Sequence, residues 1–232
     1  MKPLLYLTSV LCVLLGSFSQ AKSQTKDNPV YVRSIGVLAG TQGLGITFSV
    51  PFQDHFALRA GTTFLPFDTD VEKTYNNYKT TNDITARLSN VHLLVDWTPF
   101  DANDNFGKHF AVSAGMGYFY KAKGTFITEL TEPYYYGEIE VAPEDIGIIT
   151  TNISWEHSLA PYLGLGLQNF NFGRKIGFDF NVGAYYLDKP DVSIVGTNLL
   201  EGNESNAHII EENVKNYRFL PVVQLSLSYK IK

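Results

Sequence analysis

The sequence is poor in cysteine and in charged residues. It has 232 residues, of which one is cysteine and 18% are charged, with 18 Lys and Arg against 23 Asp and Glu. This acidic balance and the lack of a basic patch argue against a nucleic-acid partner. Cys12 lies in an apolar stretch that we expect to be removed, which leaves no disulfide and no thiolate ligand. The histidines also lack metal-ligand spacing, so we expect no metal and no cofactor.

Long hydrophobic runs are absent beyond the N-terminal segment. A membrane-spanning helix needs about 20 apolar residues, and the rest of the chain has no such window. The N-terminal segment has Lys2, then a mainly apolar run of 12 residues, then Ser19 and Ala21 at the −3 and −1 positions of a small-residue cleavage site. These features predict a secretory signal peptide over 1–21, cleaved near Ala21, and a mature domain over 22–232.

Aromatic residues, by contrast, are abundant at 14% of the chain, and they recur in segments where apolar and polar residues alternate. Alternation with a period of two indicates a β-strand with two different faces. A tilted strand needs about 9–11 residues to cross a bilayer, and eight segments are long enough to do so. The predicted strands are 31–40, 44–52, 56–67, 85–98, 109–121, 159–168, 176–187 and 217–231.

The stretches between these segments differ in length in a regular way. If the N-terminus lies in the periplasm, the long stretches 68–84, 122–158 and 188–216 all fall outside, and the inner stretches are short. Bacterial outer-membrane barrels have short periplasmic turns and longer extracellular loops. The sequence therefore predicts an all-β fold, an eight-stranded antiparallel up-and-down transmembrane β-barrel.

Two parts of this assignment have alternatives or additions. We favour a tight turn at 41–43 in the first hairpin, although 33–51 keeps one phase and would also fit a single long strand. In that case 124–141, which is strand-like, would supply the missing strand. Within the last long stretch, 203–217 has near-helical apolar spacing and predicts one short helix.

The two faces of the predicted strands differ in composition. One face is continuously apolar, whereas the other holds mainly Gly, Ser and Asn with isolated charges. A soluble lipocalin-like barrel, the rival fold, would place the apolar face inside and would have an outer face rich in Lys and Glu. A small and polar face suits the interior of a membrane barrel better. We therefore predict that the apolar face points outward.

An internal ionic network follows from this assignment. An eight-stranded barrel has room inside only for its own side chains, and buried charges need partners. We predict a packed polar core without an open pore, in which the arginines pair with the aspartates. The inward-facing residues assigned to this network are Arg59, His92, Asp96, Asp179 and Arg218.

Several phrases, weak individually but consistent in their order, resemble small outer-membrane β-barrel proteins of Bacteroidetes and other Gram-negative bacteria, within the OmpA/OmpW-like group. The resemblance implies a location in the outer membrane, insertion by the barrel-assembly machinery, contact with outer-membrane lipids and lipopolysaccharide, and a monomeric state. Such proteins usually end on an aromatic residue, whereas here Tyr229 is followed by Lys-Ile-Lys. The phrases are 40–45, 58–61, 94–100, 160–166, 179–183 with Lys189 and Pro190, and 221–229.

The resemblance implies little about activity, so three functional hypotheses remain. The first is a non-enzymatic barrel, structural or binding through its outer loops, where Tyr134, Tyr135 and Tyr136 form a possible binding surface. The second is a lipid-modifying enzyme, similar to a lipid A deacylase, that uses His157 and Ser158. These two are sequence neighbours and point to opposite faces of a strand, so we expect no enzymatic activity.

The third hypothesis is a narrow passive channel for small solutes, against which the packed core argues.

A calcium loop at 101–105 is also unsupported. Phe106 stands where the sharp turn needs glycine, and Val112 stands where the bidentate glutamate is needed.

Overall fold

A computed structural model of the chain describes residues 32–75, 78–100, 106–155, 158–172 and 175–231. The predicted signal peptide lies outside these residues. In the described part, no helix is both long and apolar enough to cross a membrane.

The described residues form twelve strands and a few short helical segments. The helices are α1 (Pro143–Ile146) and α2 (Ala207–Val214), and 3-10 turns cover Gly107–His109, Asn198–Leu200 and Asn203–Asn206. The last turn and α2 confirm the predicted helix near 203–217. The strands are β1 (Ser34–Gly40), β2 (Gly43–Gln53), β3 (Phe56–Tyr75), β4 (Tyr78–Trp97), β5 (Phe110–Leu130), β6 (Tyr134–Tyr136), β7 (Ile139–Val141), β8 (Ile148–Ser154), β9 (Ser158–Phe172), β10 (Ile176–Tyr186), β11 (Asp191–Gly196) and β12 (Phe219–Lys230).

Eight of these strands close into an antiparallel barrel, which confirms the predicted fold class. Neighbouring strands pair in the order β1, β2, β3, β4, β5, β9, β10 and β12. The ring closes where β12 pairs with β1, with Ser34 opposite Lys230. We call the end with the β1–β2 turn the upper end and the end with Ser34 and Lys230 the lower end.

The first hairpin has the tight turn that the sequence favours. Gly40 pairs with Gly43 across a two-residue connection, so 33–51 is not a single strand. Gly43 has a φ of 86°, in the left-handed region that glycine adopts without steric cost. A Cβ there would also collide with the backbone of Phe64 and Leu65 on β3.

The apolar face of the barrel points outward, as predicted. On β4, Leu93 is 52% exposed and Trp97 is 43% exposed, whereas the intervening Leu94 and Asp96 are 3% and 2% exposed. The same alternation on the other ring strands gives an apolar band around the barrel. The interior is therefore the polar side, as in a barrel surrounded by an apolar medium.

The predicted long loops 68–84 and 122–158 were wrong in part, because strands continue far above the upper rim. β3 and β4 remain paired in an unbroken register up to Tyr75 opposite Tyr78. β5 pairs with β9 from Phe110 to Phe119, and then along the same edge with β8 from Lys123 to Glu129. A register shift beside Ser89 and Asn90 separates the two parts.

β11, from the predicted loop 188–216, pairs with the far side of β8. The upper parts of β3, β4 and β5 therefore continue with β8 and β11 as one five-stranded sheet, which we call the upper sheet. β8 and β11 stand above β9 and β10 in the wall. Above β12, β1 and β2 no strand continues in the described residues.

Candidate functional site in the barrel interior

An ion pair crosses the lower half of the interior. Arg59 on β3 donates from Nε to Oδ2 of Asp96 and from Nη2 to Oδ1, both at 2.8 Å. Nη2 also donates to Oγ of Ser113 at 3.1 Å, and the Ser113 hydroxyl donates to the same carboxylate. The charged side chains are only 7% and 3% exposed. A bidentate pair with an additional hydrogen bond to its carboxylate is the arrangement in which buried charges are tolerated.

Strand register explains why these three residues meet. Asp96 of β4 lies opposite Ala57 of β3, two residues from Arg59 on the same face. Asp96 also lies directly opposite Ser113 of β5. Inward-facing diagonal neighbours are within reach of a long side chain, so the arginine bridges from β3 to both other strands.

Asp179 of β10 lines the same small cavity as this ion pair. The cavity has a volume of about 30 Å³ and extends to Lys230 at the lower rim, which leaves room for one or two water molecules. Oδ1 of Asp179 accepts the backbone N–H of Asn169 at 2.7 Å. The hydrogen-bond partner of Asp179 is thus a backbone amide, not the predicted arginine.

His92 lies above the ion pair and takes part in a hydrogen-bond network with Asn90 and Thr63. Its Nδ1 lies 3.1 Å from Oδ1 of Asn90, and Asn90 donates from Nδ2 to Thr63 at 2.7 Å. A Cβ at Gly61 on β3 would lie 2.5 Å from Nε2 of His92, so the glycine makes room for the imidazole. His92 contributes packing and hydrogen bonds here and no ion pair.

Beside Asn90 and His92 three aromatic side chains fill the barrel, which the sequence reasoning missed. Phe119, Tyr162 and Tyr185 are 0%, 5% and 2% exposed. Tyr185 makes an edge contact with Phe119 at a ring distance of 5.1 Å and lies 4.7 Å from Tyr162. We call these three residues the aromatic plug.

Inward-facing glycines provide the space for the aromatic plug. A Cβ at Gly117 would lie 2.5 Å from Cε1 of Tyr185, and one at Gly183 would lie 2.5 Å from the hydroxyl of Tyr162. Glycine opposite a large inward residue is a sequence signal that could have located the plug.

The predicted place of Arg218 in the internal network was wrong. Arg218 precedes β12 at the upper end, whereas Asp96 and Asp179 lie in the lower half. Its Nε donates to the carbonyl oxygen of Leu187 at 3.1 Å, and Nη2 lies 3.9 Å from Asp188. The guanidinium stacks over the ring of Tyr186. Arg218 therefore anchors the last connection at the rim instead of neutralising an interior charge.

The three consecutive tyrosines lie on a small hairpin at the top of the molecule. β6, which they form, pairs with β7. Tyr134 rests against Tyr78 with ring centroids 4.9 Å apart, whereas Tyr135 and Tyr136 are 54% and 72% exposed. Nearby, Nζ of Lys79 donates to the Glu132 carboxylate at 2.7 Å, which raises the pKa of that lysine. The hairpin thus presents two free aromatic rings on a fixed base.

The residues considered for catalysis or metal binding form no complete site in the described part of the chain. His157 and residues 101–105 lie outside the described residues. Ser158 is buried, and its hydroxyl lies 3.4 Å from the Asp188 carboxylate. Across the described ranges, no group of three or more His, Cys, Asp or Glu side chains is placed to hold a metal ion.

Comparison with known proteins supports the fold. No family model matches the sequence, and no curated protein matches it. Two solved structures are similar: CarO of Acinetobacter baumannii, with a TM-score of 0.64 and 22% identity over 88% of this chain and 100% of that one, and CarO2 of the same organism, with a TM-score of 0.62 and 19% identity over 86% and 98%. At this identity the likeness establishes a shared fold, so the chain has the barrel architecture of these two proteins.

Proposed function

We propose that the protein is an integral outer-membrane β-barrel whose interior is closed and whose activity lies in the part above the barrel. The outward apolar band carries this proposal. A closed ring of strands pairs its backbone groups internally, which a hydrocarbon environment requires. Both similar solved structures are outer-membrane β-barrel proteins, in line with such a location.

Orientation and partners belong to the same proposal. The lower end faces the periplasm and the upper sheet faces outward, as the short and long connections of such barrels suggest. We infer that the chain is exported by its signal peptide, inserted by the barrel-assembly machinery, and surrounded as a monomer by outer-membrane lipids and lipopolysaccharide. Kinship with the OmpA/OmpW-like group is part of this proposal and rests on the quoted phrases.

A polarity test distinguishes a lipid-facing band from a water-facing one. Leu93 lies in the band on β4, and an arginine facing lipid costs about 2–4 kcal/mol near the bilayer midplane. Leu93→Arg should therefore lose the faster-migrating unboiled gel band of outer-membrane fractions. Leu199→Arg is the matched control, because Leu199 is 71% exposed in an upper loop. Full-length protein in the soluble periplasmic fraction, with Leu93→Arg tolerated, would overturn the proposal.

The closed interior argues against the narrow-channel hypothesis. The aromatic plug and the Arg59–Asp96 pair both fill the interior of the barrel. We expect no stable conductance steps from the purified protein in planar bilayers. Regular single-channel steps would show that solutes pass and would contradict the closed state.

Binding through the upper hairpin and loops is favoured over catalysis. Tyr135 and Tyr136 offer exposed rings, which are frequent contact residues in binding surfaces. The enzymatic hypothesis rests on His157 beside Ser158. If the protein does not deacylate lipid A, His157→Asn should leave the lipid A species in mass spectra unchanged. Loss of a deacylated species in this variant would establish the enzymatic hypothesis.

A further inference from the structure

The polarity of the strand faces inverts at the upper rim. In the barrel, β4 buries Asn90, His92 and Asp96 and exposes Leu93. Above the rim the same inward face continues with apolar residues. Leu88 of β4 packs against the interior cluster that contains Ala122 of β5 and the aromatic plug, which shows that these positions lie on the inner side.

The inner face of the upper sheet is mainly apolar. The sheet's register places Phe67 opposite Ala86, and Ile84 opposite Phe126. The same face runs on through Thr151 of β8. Its larger apolar members include Leu65, Phe67, Ile84, Leu88, Phe126 and Ile153.

The outer face of the upper sheet is polar and charged. Arg87 makes a two-pronged contact with Asp68 at 2.8 Å, and Thr85 donates to the same carboxylate. The bond from Arg87, more than that from Thr85, holds the pKa of Asp68 below its usual range. Lys123 is exposed on this face as well. A sheet with water outside and an apolar concave side encloses a space that favours apolar groups.

Part of the concave side is covered by the chain itself and part is open. Near β11, Leu200 lies so close to Gly196 that a Cβ would not fit, and Ile194 is only 6% exposed. On β3 and β5, by contrast, Phe67 and Phe126 remain 46% and 37% exposed. The uncovered part faces the sector above β1 and β2.

We propose that this apolar trough binds one single-chain amphiphile, such as a free fatty acid, that enters from the membrane through the open sector. Continuity with the outward apolar band supports a ligand from the membrane: the trough begins at Leu65, next to Phe64 at the top of that band. Apart from Lys73 of β3, near the top, the assigned inner positions carry no charge, which suits an acyl chain.

The source of the ligand follows from where the trough begins, and this step rests on the proposed membrane location. Phe64, at 52% exposure, and Leu44, at 70%, are paired residues at the top of the apolar band. Leu65 on the next inward position starts the trough. An acyl chain leaving the bilayer at this point therefore passes from band to trough along β3 without crossing a charged group.

The far end of the trough supplies groups for a polar head. Asn82 donates to Thr80 at 3.3 Å, and Thr128 donates to Asn82 at 2.9 Å. From Leu88 to Thr80 is eight residues, or about 26 Å at about 3.3 Å per residue. A chain lying along this path places its head near hydroxyl and amide groups that form hydrogen bonds.

Trp155 provides a local reporter for the test. Like Leu88, it packs against the interior cluster below the trough, and its backbone N–H donates to the carbonyl oxygen of Ala122. The chain has one other tryptophan, Trp97, in the outward band. In a Trp97→Phe background, reconstituted in phosphatidylcholine nanodiscs, brominated stearic acid should quench Trp155 fluorescence saturably. Brominated phosphatidylcholine at the same bromine density should quench it much less.

Two neighbouring substitutions supply a matched pair. Phe126→Glu places a charge in the trough, whereas Ile127→Glu places it on the outer face of the same strand. The first should weaken saturable quenching about ten-fold or more, equal to about 1.4 kcal/mol, and the second should not. If Phe126→Glu fails to fold, Phe67→Ser tests the same face at a more exposed position.

The outcomes separate this site from the proposed location. Absent quenching, non-saturable quenching, or equal effects of both glutamates would overturn the amphiphile site. Whether the protein enters nanodiscs and migrates faster unboiled is measured on the same sample. Saturable quenching by a protein that stays out of the bilayer would keep the trough and refute the membrane location.

Discussion

Gly117 of β5 faces the ring of Tyr185 of β10 so closely that a Cβ at position 117 would lie 2.5 Å from Cε1. Tyr185 is 2% exposed and contacts both other members of the aromatic plug. A real Cβ does not approach another carbon so closely, and the ring is fixed by its neighbours. The close packing of the aromatic plug therefore requires glycine, which has no Cβ atom, at position 117.

Gly117→Ala should accordingly destabilise the barrel by about 1–3 kcal/mol, the range for overpacking in a filled core. The measurement is urea unfolding in lipid vesicles, followed by the unboiled gel band. Gly124→Ala is the control on the same strand, since its Cβ would meet Phe126 at an ordinary 3.5 Å. Equal stability of the two variants would show that the plug is loosely packed.

Asp96→Asn should destabilise the folded barrel by about 3–5 kcal/mol, because it leaves the buried Arg59 without a counter-charge. The double substitution Arg59→Met with Asp96→Leu should lose much less, since no charge remains buried. The exposed Asp68→Asn removes the partner of Arg87 and should leave the unfolding midpoint near that of the unchanged protein. A double variant as unstable as Asp96→Asn would contradict this account.

Glu204 should make the upper connection sensitive to acid. Backbone N–H groups of its own residue and of Gly196 hold the pKa of Glu204 below its ordinary value of 4.5. The stabilisation is thus fully present above pH 4.5 and is lost as the pH falls through the lowered pKa. Hydrogen-exchange protection of the Gly196 amide should follow this curve, and Glu204→Gln should remove the pH dependence.

Tyr134→Ala should make the β6–β7 hairpin more sensitive to protease, because it removes the contact with Tyr78. Tyr136→Ala should not, since Tyr136 is 72% exposed. Limited proteolysis of folded protein in vesicles, with cleavage sites read by mass spectrometry, compares the two. Similar cleavage of both variants would mean that the ring contact does not anchor the hairpin.

The ring of strands was predictable because its alternation is strong, whereas the upper sheet was not because the alternation changes phase. On β4 the odd positions from Val91 to Trp97 are apolar, but above the rim Ile84 and Leu88 occupy even positions. When the surrounding medium changes from apolar to water, the apolar face moves from outside to inside. The alternation of apolar and polar residues therefore changes phase at the rim. This change indicates a loop at 68–84, although β3 and β4 continue through it.

The interior was predictable only where position along the strand was known. Arg59 and Asp96 lie within ring strands near the same end of the barrel, so their inward phase was enough to bring them into one layer. Arg218 has the alternation phase of an inward-facing residue but precedes the first residue of β12. The alternation shows on which face of a strand a residue lies, but not how far along the barrel axis it lies. The aromatic plug requires matching Tyr185 with glycines on other strands, which depends on a register that one sequence does not reveal.

β5 pairs with β9 through Phe110–Phe119 and with β8 only beyond Lys123. Closure of the ring thus uses none of the described residues of the upper sheet above the rim. Insertions, deletions or replacements above the rim should therefore leave the strand pairing of the ring intact. The sequence and length of the part above the rim can consequently vary while the eight-stranded ring stays the same.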